Sequence, residues 1–281
     1  MTQNKKVLVV ANMHKPLVIE QLGTLQPFLR THANQLEVVD VNSASLPEGF
    51  KADLCIVMGG DGTLLAAARL VAPLSIPMVG VNMGKLGFLA DFSYEQMCRH
   101  LPDMLLNKLP FSERMMLQVC AADGEGVFTS LAANDLAIMS GPPYRMIELH
   151  VSHGSEAIAS YLGDGMVVST PTGSTGYNLS LGGPILEPSV QAMIITPIAP
   201  HTLSMRPLVV PSTAAIRITA KRVNAGTTMV IDGQLSLPVG EGHTVEIHRS
   251  LYSAKVISHP QRQFFSRLTE KLQWGGGPHR L

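Results

Sequence analysis

The 281-residue chain is long enough for one or two hydrophobic cores. Its 21 basic residues balance 21 acidic ones without a long basic run, which excludes a general nucleic-acid binder. With 46% hydrophobic and 15% charged residues, it has the profile of a soluble globular enzyme and not of a disordered or fibrous chain.

The N-terminal MTQNKKVLVVAN has an apolar run of strand length, too short for a signal-peptide core, and no later run approaches membrane-spanning length. A cytoplasmic protein with no membrane partner is expected. KVLVVAN, PLVIEQLGTLQPFLRTHA, LEVVDV, ADLCIVM, GTLLAAARLVA, IPMVGVN and SYEQMCRHLPDMLLNKL then alternate strand with helix. The strands lack period-two alternation, as strands do when helices cover both faces of a sheet, so this part reads as a parallel α/β layer.

After about Leu109 the rhythm changes to alternating or β-branched runs cut by DG, HG and GEG turns, which predicts a β-rich second domain with one helical stretch near STGYNLSLGG. QRQFFSRLTEKLQW places Phe264, Phe265, Leu268 and Leu272 at helical spacing, an amphipathic helix expected to dock on the first domain. The final GGGPHRL reads as frayed. The expected domains are 1–108 with about 252–281, carrying GGDGT, and 109–251.

Cys55, Cys98 and Cys120 lack disulfide or zinc-ligand spacing and read as free thiols. His150 and His153 lie on an alternating segment that directs them to opposite sheet faces, a poor chelate. No residue is read as a metal ligand.

The stretch VMGGDGTLLAAARL, Val57 to Leu70, puts Gly59, Gly60 and Gly62 around Asp61 where a strand passes into a helix. Ligands of open α/β sheets bind at such carboxyl ends, and glycines there let N–H groups meet phosphate oxygens. Asp61 has two readings: a helix cap, or a carboxylate that orients an acceptor hydroxyl, takes its proton or helps hold Mg²⁺. The chain has no GxxxxGK[ST] loop, no well-placed GxGxxG and no GxSxG, which disfavours dehydrogenase and serine-hydrolase chemistry.

A second loop, GVNMGKLGFLADF, sets Lys85 between Gly84 and Gly87 as a candidate phosphate contact or a solvated lysine. A third stretch, Gly163 to Leu186, crowds hydroxyl donors, small residues and Tyr177 into a strand-to-helix junction, a composition suited to a polar ligand. Asn134–Asp135 and Asp232 with Gln234 read as turns when taken alone.

In their order along the chain, GGDGT, GVNMGKLGFLADF, RMML, the Asn134–Asp135 pair, DGMVVSTPTGSTGYNLSLGGPI, ITPIAPHTLSMRPLVVP and IDGQ resemble the NAD kinase family from about Lys6 to the C-terminal segment. The resemblance implies a Rossmann-like α/β domain, a β-rich domain and an active site in the cleft between them. It implies transfer of the terminal phosphoryl group of ATP, or of polyphosphate, to the 2′-hydroxyl of the adenosine ribose of NAD. Mg²⁺ as the divalent metal and a homodimer or homotetramer are expected with it.

Residue by residue, it makes Asp61 the catalytic carboxylate and assigns Gly59, Gly60, Gly62, Thr63 and Lys85 to phosphate. It assigns Asp61, Gly62, Asn134, Asp135, Arg145, Asp164, Thr175, Gly176, Tyr177, Asn178, Leu179, Ser180 and Gln234 to NAD. Three positions depart from the family pattern: Asp135 where Glu is usual, Gly176 where Ala is common, and Leu162 where a polar residue is common. GGDGT also occurs in lipid and sugar kinases, and a non-catalytic dinucleotide sensor is a further alternative.

Overall fold

The computed structural model describes residues 4–43, 45–47, 49–84, 87–122 and 126–274. The chain forms two compact units, Met1–Glu113 with Ala254–Leu281, and Arg114–Ser253.

The first unit begins with β1 (Lys6–Ala11), α1 (Pro16–Arg30), β2 (Gln35–Asp40), β3 (Leu54–Gly59), α2 (Asp61–Val71), β4 (Met78–Asn82) and α3 (Tyr94–Leu105). The strands pair in the order β2-β1-β3-β4, all parallel, with Val9 beside both Val38 and Ile56. β3 is buried along its length because helices cover the sheet, the physical reason its sequence is a continuous apolar run. Val7, Val9, Leu25, Leu29, Ile56, Met97, Leu101 and Met104 belong to one core. α3 opens with a reciprocal cap in which the Ser93 hydroxyl accepts from Gln96 N–H and the Gln96 side chain accepts from Ser93 N–H.

Both glycine-rich loops of this unit start where parallel strands end. Gly59–Gly60 carries β3 into α2. The other loop leaves β4 at Asn82 and returns at Phe92, whose N–H donates to Gly80 O and whose carbonyl accepts from Asn82 N–H. Gly80 lacks a Cβ that would overlap Leu64 and Ala90, which lets α2 and the returning segment close on β4.

The chain passes into the second unit within β5 (Phe111–Ala122), which forms a hairpin with β6 (Val127–Ala132). There follow β7 (Asp135–Met139), β8 (Ile147–His153), β9 (Glu156–Gly163), β10 (Gly165–Ser169), the short α4 (Tyr177–Ser180), β11 (Ala192–Ile198) and β12 (Leu208–Pro211). β13 (Ile216–Arg222), β14 (Thr228–Ile231), β15 (Leu235–Pro238) and β16 (Thr244–Ile257) complete it. One antiparallel sheet runs β12-β11-β10-β7-β14-β15, and β16, β13, β8 and β9 pair antiparallel in a second. Leu136, Ile138, Val168 and Ile195 of the first sheet share a core with Leu149, Tyr161, Ile218 and Ile247 of the second.

Strands β11 and β12 lie outside the runs that pattern alone picks out. AMIITPI is buried on both faces, so it has no alternation, and Pro197 sits near its end.

After β16 the chain is again in the first unit and ends in α5 (Phe264–Leu272). This helix docks differently from its apolar stripe. Arg267 and Leu268 are buried, whereas Phe265 and Leu272 are exposed, because Arg267 finds a carboxylate partner in Asp91. No helix among the described residues is long and apolar enough to cross a membrane.

Leu101 is fully buried in the first core. Leu101→Ala should lower the unfolding free energy by about 2–5 kcal/mol, measured by urea denaturation.

Candidate active site

Asp61 is the first residue of α2. Gly60 is the N-cap residue and no side chain caps the helix, so the helix-cap reading of Asp61 does not hold. Its carboxylate is aimed at the returning loop after β4, where Phe88 N–H donates to Oδ2 at 2.8 Å and Leu89 and Ala90 N–H donate to Oδ1 at 3.1 and 3.3 Å. Three successive main-chain donors leave the carboxylate little freedom to rotate. Gly87 approaches so closely that a Cβ there would overlap the Asp61 carboxylate, so glycine is required by space and not by conformation.

Around it, Gly59 and Thr63 are buried, and a Cβ on Gly59 would overlap the Thr63 side chain. Gly60 is half-buried and Gly62 exposed, and the space beside Gly60 is open. Lys85 lies outside the described residues.

The second unit repeats the device. Asp232, in the three-residue turn between β14 and β15, has φ 50° and is followed by Gly233 at φ 68°. The hairpin reading of this turn is therefore right, and the backbone it needs is one that Asp adopts more readily than bulkier residues. Its buried carboxylate has a further task that the turn signal does not reveal. It accepts N–H bonds from Ala133 at 3.0 Å, Asn134 at 2.7 Å and Asp135 at 3.2 Å.

Asn134 and Asp135 are thereby presented in a fixed orientation. Asn134 Oδ1 is buried with no hydrogen-bond partner. Asp135 is buried at the start of β7, and its carboxyl pKa is pushed up to about 7, first by burial and then by the nearby Asp232 carboxylate. A buried acceptor without a donor, beside a carboxyl group that can itself donate or accept, is unmet hydrogen-bonding capacity of the kind that a ligand or a water completes.

The stretch from Ser169 to Leu186 faces the same pair. A Cβ on Gly176 would stand 3.5 Å from Asn134 Nδ2 and 3.8 Å from Asp135 Oδ2. Ser174 Oγ donates to Pro171 O and accepts from Leu186 N–H. Thr175 Oγ1 donates to Thr172 O at 3.4 Å.

Asn178 is fully buried, with Nδ2 donating to Ser174 O and Pro184 O while Oδ1 accepts from Thr196. Its amide holds the turn from inside. Leu179 is half-buried, and Tyr177 and Ser180 are exposed, with the Tyr177 hydroxyl 3.8 Å from Met139 S. Arg145, Asp164 and Gln234 are exposed. The first unit thus gathers the GGDG residues around Asp61, and the second gathers Asn134, Asp135 and Gly176.

Among the described residues no three His, Cys, Asp or Glu side chains are placed to hold a metal ion. Asp61, already accepting three N–H bonds, retains only part of its lone-pair capacity. The oxygen donor capacity that remains there suits a hard divalent cation.

Residues 8–108 match the ATP-NAD kinase N-terminal domain and residues 133–259 the ATP-NAD kinase C-terminal domain. The chain is 41% identical over 277 residues to an NAD kinase of Heliobacterium modesticaldum, covering 95% of this chain and 98% of that protein. It is 36% identical over 281 residues to an NAD kinase of Moorella thermoacetica, covering 97% and 90%. Of solved structures, an NAD kinase from Archaeoglobus fulgidus in complex with ATP matches with a TM-score of 0.74 at 26% identity, over 95% of this chain and 98% of that one. Yeast NADH kinase complexed with NADH matches with a TM-score of 0.82 at 21% identity, over 99% and 90%, a likeness of fold.

The Asp135 shift has a measurable sign. Its folded pKa of about 7 lies above the usual 3.8, so between these values the folded protein binds a proton that the unfolded chain has lost. This contribution to stability is complete below the lower value and is lost as pH rises through the upper one, by at most about 1.4 kcal/mol per pH unit. Urea unfolding of the ligand-free protein between pH 4 and 8 should show this decline, and Asp135→Asn should remove it; an identical pH profile in the variant would contradict the assignment.

Proposed function

Since the chain belongs to the ATP-NAD kinase family, we infer that it transfers the terminal phosphoryl group of ATP to the 2′-hydroxyl of the adenosine ribose of NAD, forming NADP and ADP. The observation that carries the catalytic assignment is the Asp61 carboxylate, held by three main-chain donors in a glycine-lined loop at the end of β3.

In this reading Asp61 aligns the ribose hydroxyl and takes its proton as the oxygen attacks the terminal phosphorus in line. The new O–P bond forms as the bond to the β-phosphate bridging oxygen breaks, and the electron pair leaves with ADP. A carboxylate that cannot rotate needs no reorganisation as the proton moves, and this is the advantage of the fixed N–H donors. A divalent cation, Mg²⁺ by the chemistry of its oxygen ligands, neutralises charge on the donor phosphates when bound.

Gly60 and Gly62 leave room for phosphates at the helix start, Gly59 and Thr63 shape that loop from inside, and Lys85 supplies a cation. Asn134 and Asp135 take the adenosine part of NAD, for which the bare acceptor Oδ1 of Asn134 supplies a motive. Thr175, Gly176, Tyr177, Leu179 and Ser180 wall the dinucleotide, while Asn178 acts by keeping the turn in shape. Gly176, where the family commonly has Ala, leaves more space beside the pair. Arg145, Asp164 and Gln234 add outer contacts. The domain assignment is 1–108 with about 252–281, and 109–251; the assembly is a homodimer or homotetramer, and the location is cytoplasmic.

Asp61→Asn should lower kcat for NADP formation by about 10²–10⁴ with an unchanged circular-dichroism spectrum. Turnover near wild type in that variant would remove Asp61 from the mechanism. Wild-type enzyme given ATP or polyphosphate, with NAD, a diacylglycerol or fructose 6-phosphate as acceptor, should phosphorylate NAD alone. Turnover of only the lipid or the sugar would overturn the reading, as would tight NAD binding with no NADP formed from either donor.

A further inference from the structure

The loop that grips Asp61 is itself gripped by the end of the chain. Asp91 follows directly on Phe88–Ala90, and its Oδ2 accepts a hydrogen bond from Arg267 Nη1 of α5, with both side chains almost fully buried. The Asp91 carbonyl accepts from Arg262 Nη1 at 3.0 Å, so one residue is held through side chain and main chain by two arginines. Next to it, the Phe92 ring packs on His259 with centroids 4.8 Å apart, and the Phe92 main chain is paired to β4. The donors to Asp61 thus lie immediately before two residues clamped by the segment that follows β16.

This arrangement is poorly explained by stability alone. A buried ion pair gains little over apolar side chains of similar size, because two charges must be desolvated. Arg267 Nε is moreover buried with no partner. The same helix leaves Phe265 and Leu272 exposed while burying the arginine, the reverse of what maximal apolar burial would select. Such a pair fixes register, since each buried charge is satisfied only where its partner lies.

We propose that Arg267 is a positioning residue for catalysis, acting through Asp91 to hold the Phe88–Ala90 N–H groups on the Asp61 carboxylate. The inference rests on the reading of Asp61 as the catalytic carboxylate. Loss of the clamp lets the donors shift and the carboxylate turn, which lowers kcat and leaves nucleotide binding largely intact.

The test uses the full chain with Arg267→Met, Arg267→Lys and the double variant Arg267→Met/Asp91→Asn, which leaves no buried charge unpaired, alongside Asp61→Asn. The readouts are kcat and KM for NAD and ATP per folded molecule, and amide hydrogen exchange at Phe88–Ala90. Arg267→Met and the double variant should lower kcat at least about tenfold with each KM within about twofold, the split expected when only the transition-state arrangement is lost. Arg267→Lys should restore kcat to within about threefold of wild type, and exchange at Phe88–Ala90 should accelerate in Arg267→Met but not in β1.

Folded Arg267→Met and double variants with kcat near wild type would overturn the proposal, as would a loss of activity that merely follows the folded fraction. The double variant decides the case when Arg267→Met does not fold, and failure of both to fold makes the pair structural and also overturns it. Wild-type turnover in Asp61→Asn removes the underlying reading instead, a separate outcome because exchange at Phe88–Ala90 still reports whether Arg267 holds the loop.

Discussion

Three consecutive backbone N–H groups converge on the carboxylate of Asp61, and the geometry of the first unit is arranged to make that possible. A carboxylate in water rotates freely and keeps a full hydration shell. Here a loop supplies fixed dipoles in its place, so the group's orientation is set before any ligand arrives. The cost is spatial: the loop must come within hydrogen-bonding distance of the start of α2, and only bare backbone at Gly80 and Gly87 allows the approach.

The second unit uses the same solution for a different purpose. Asp232 takes up the N–H groups of Ala133, Asn134 and Asp135, which the end of β6 and the start of β7 would otherwise leave bent towards solvent or unpaired. The result is a pair of side chains whose main chain is tied to one carboxylate, one with an unsatisfied acceptor and one with a pKa raised to about 7 by burial and by Asp232. In both units a carboxylate orders a loop by taking up its successive N–H groups.

Most of the first unit was legible from composition and spacing. β1, β3 and β4 are apolar runs of strand length separated by amphipathic helices, and the glycine loops fall where parallel strands end. Asp61 could be singled out because three glycines isolate it. Its partners could not, since Phe88, Leu89 and Ala90 contribute only main-chain N–H groups, which every residue except proline possesses. Asp232 was legible as a turn residue but not as an organiser of Asn134, because no local signal reports contacts nearly a hundred residues away. Strand β11 escaped because burial on both faces erases the alternation that marks a strand.

The sequence by itself determined the class of the two units, the family, and a short list of candidate residues, because glycine spacing, hydrophobic period and motif order are local properties. Only the tertiary structure decided that Asp61 is held by a loop instead of capping a helix, that Asn178 is spent inside its turn, and that α5 buries Arg267 in preference to Phe265. The reason is the same in each case: which donor meets which acceptor depends on the approach of distant segments, and burial reverses a residue's preference once a partner is found there.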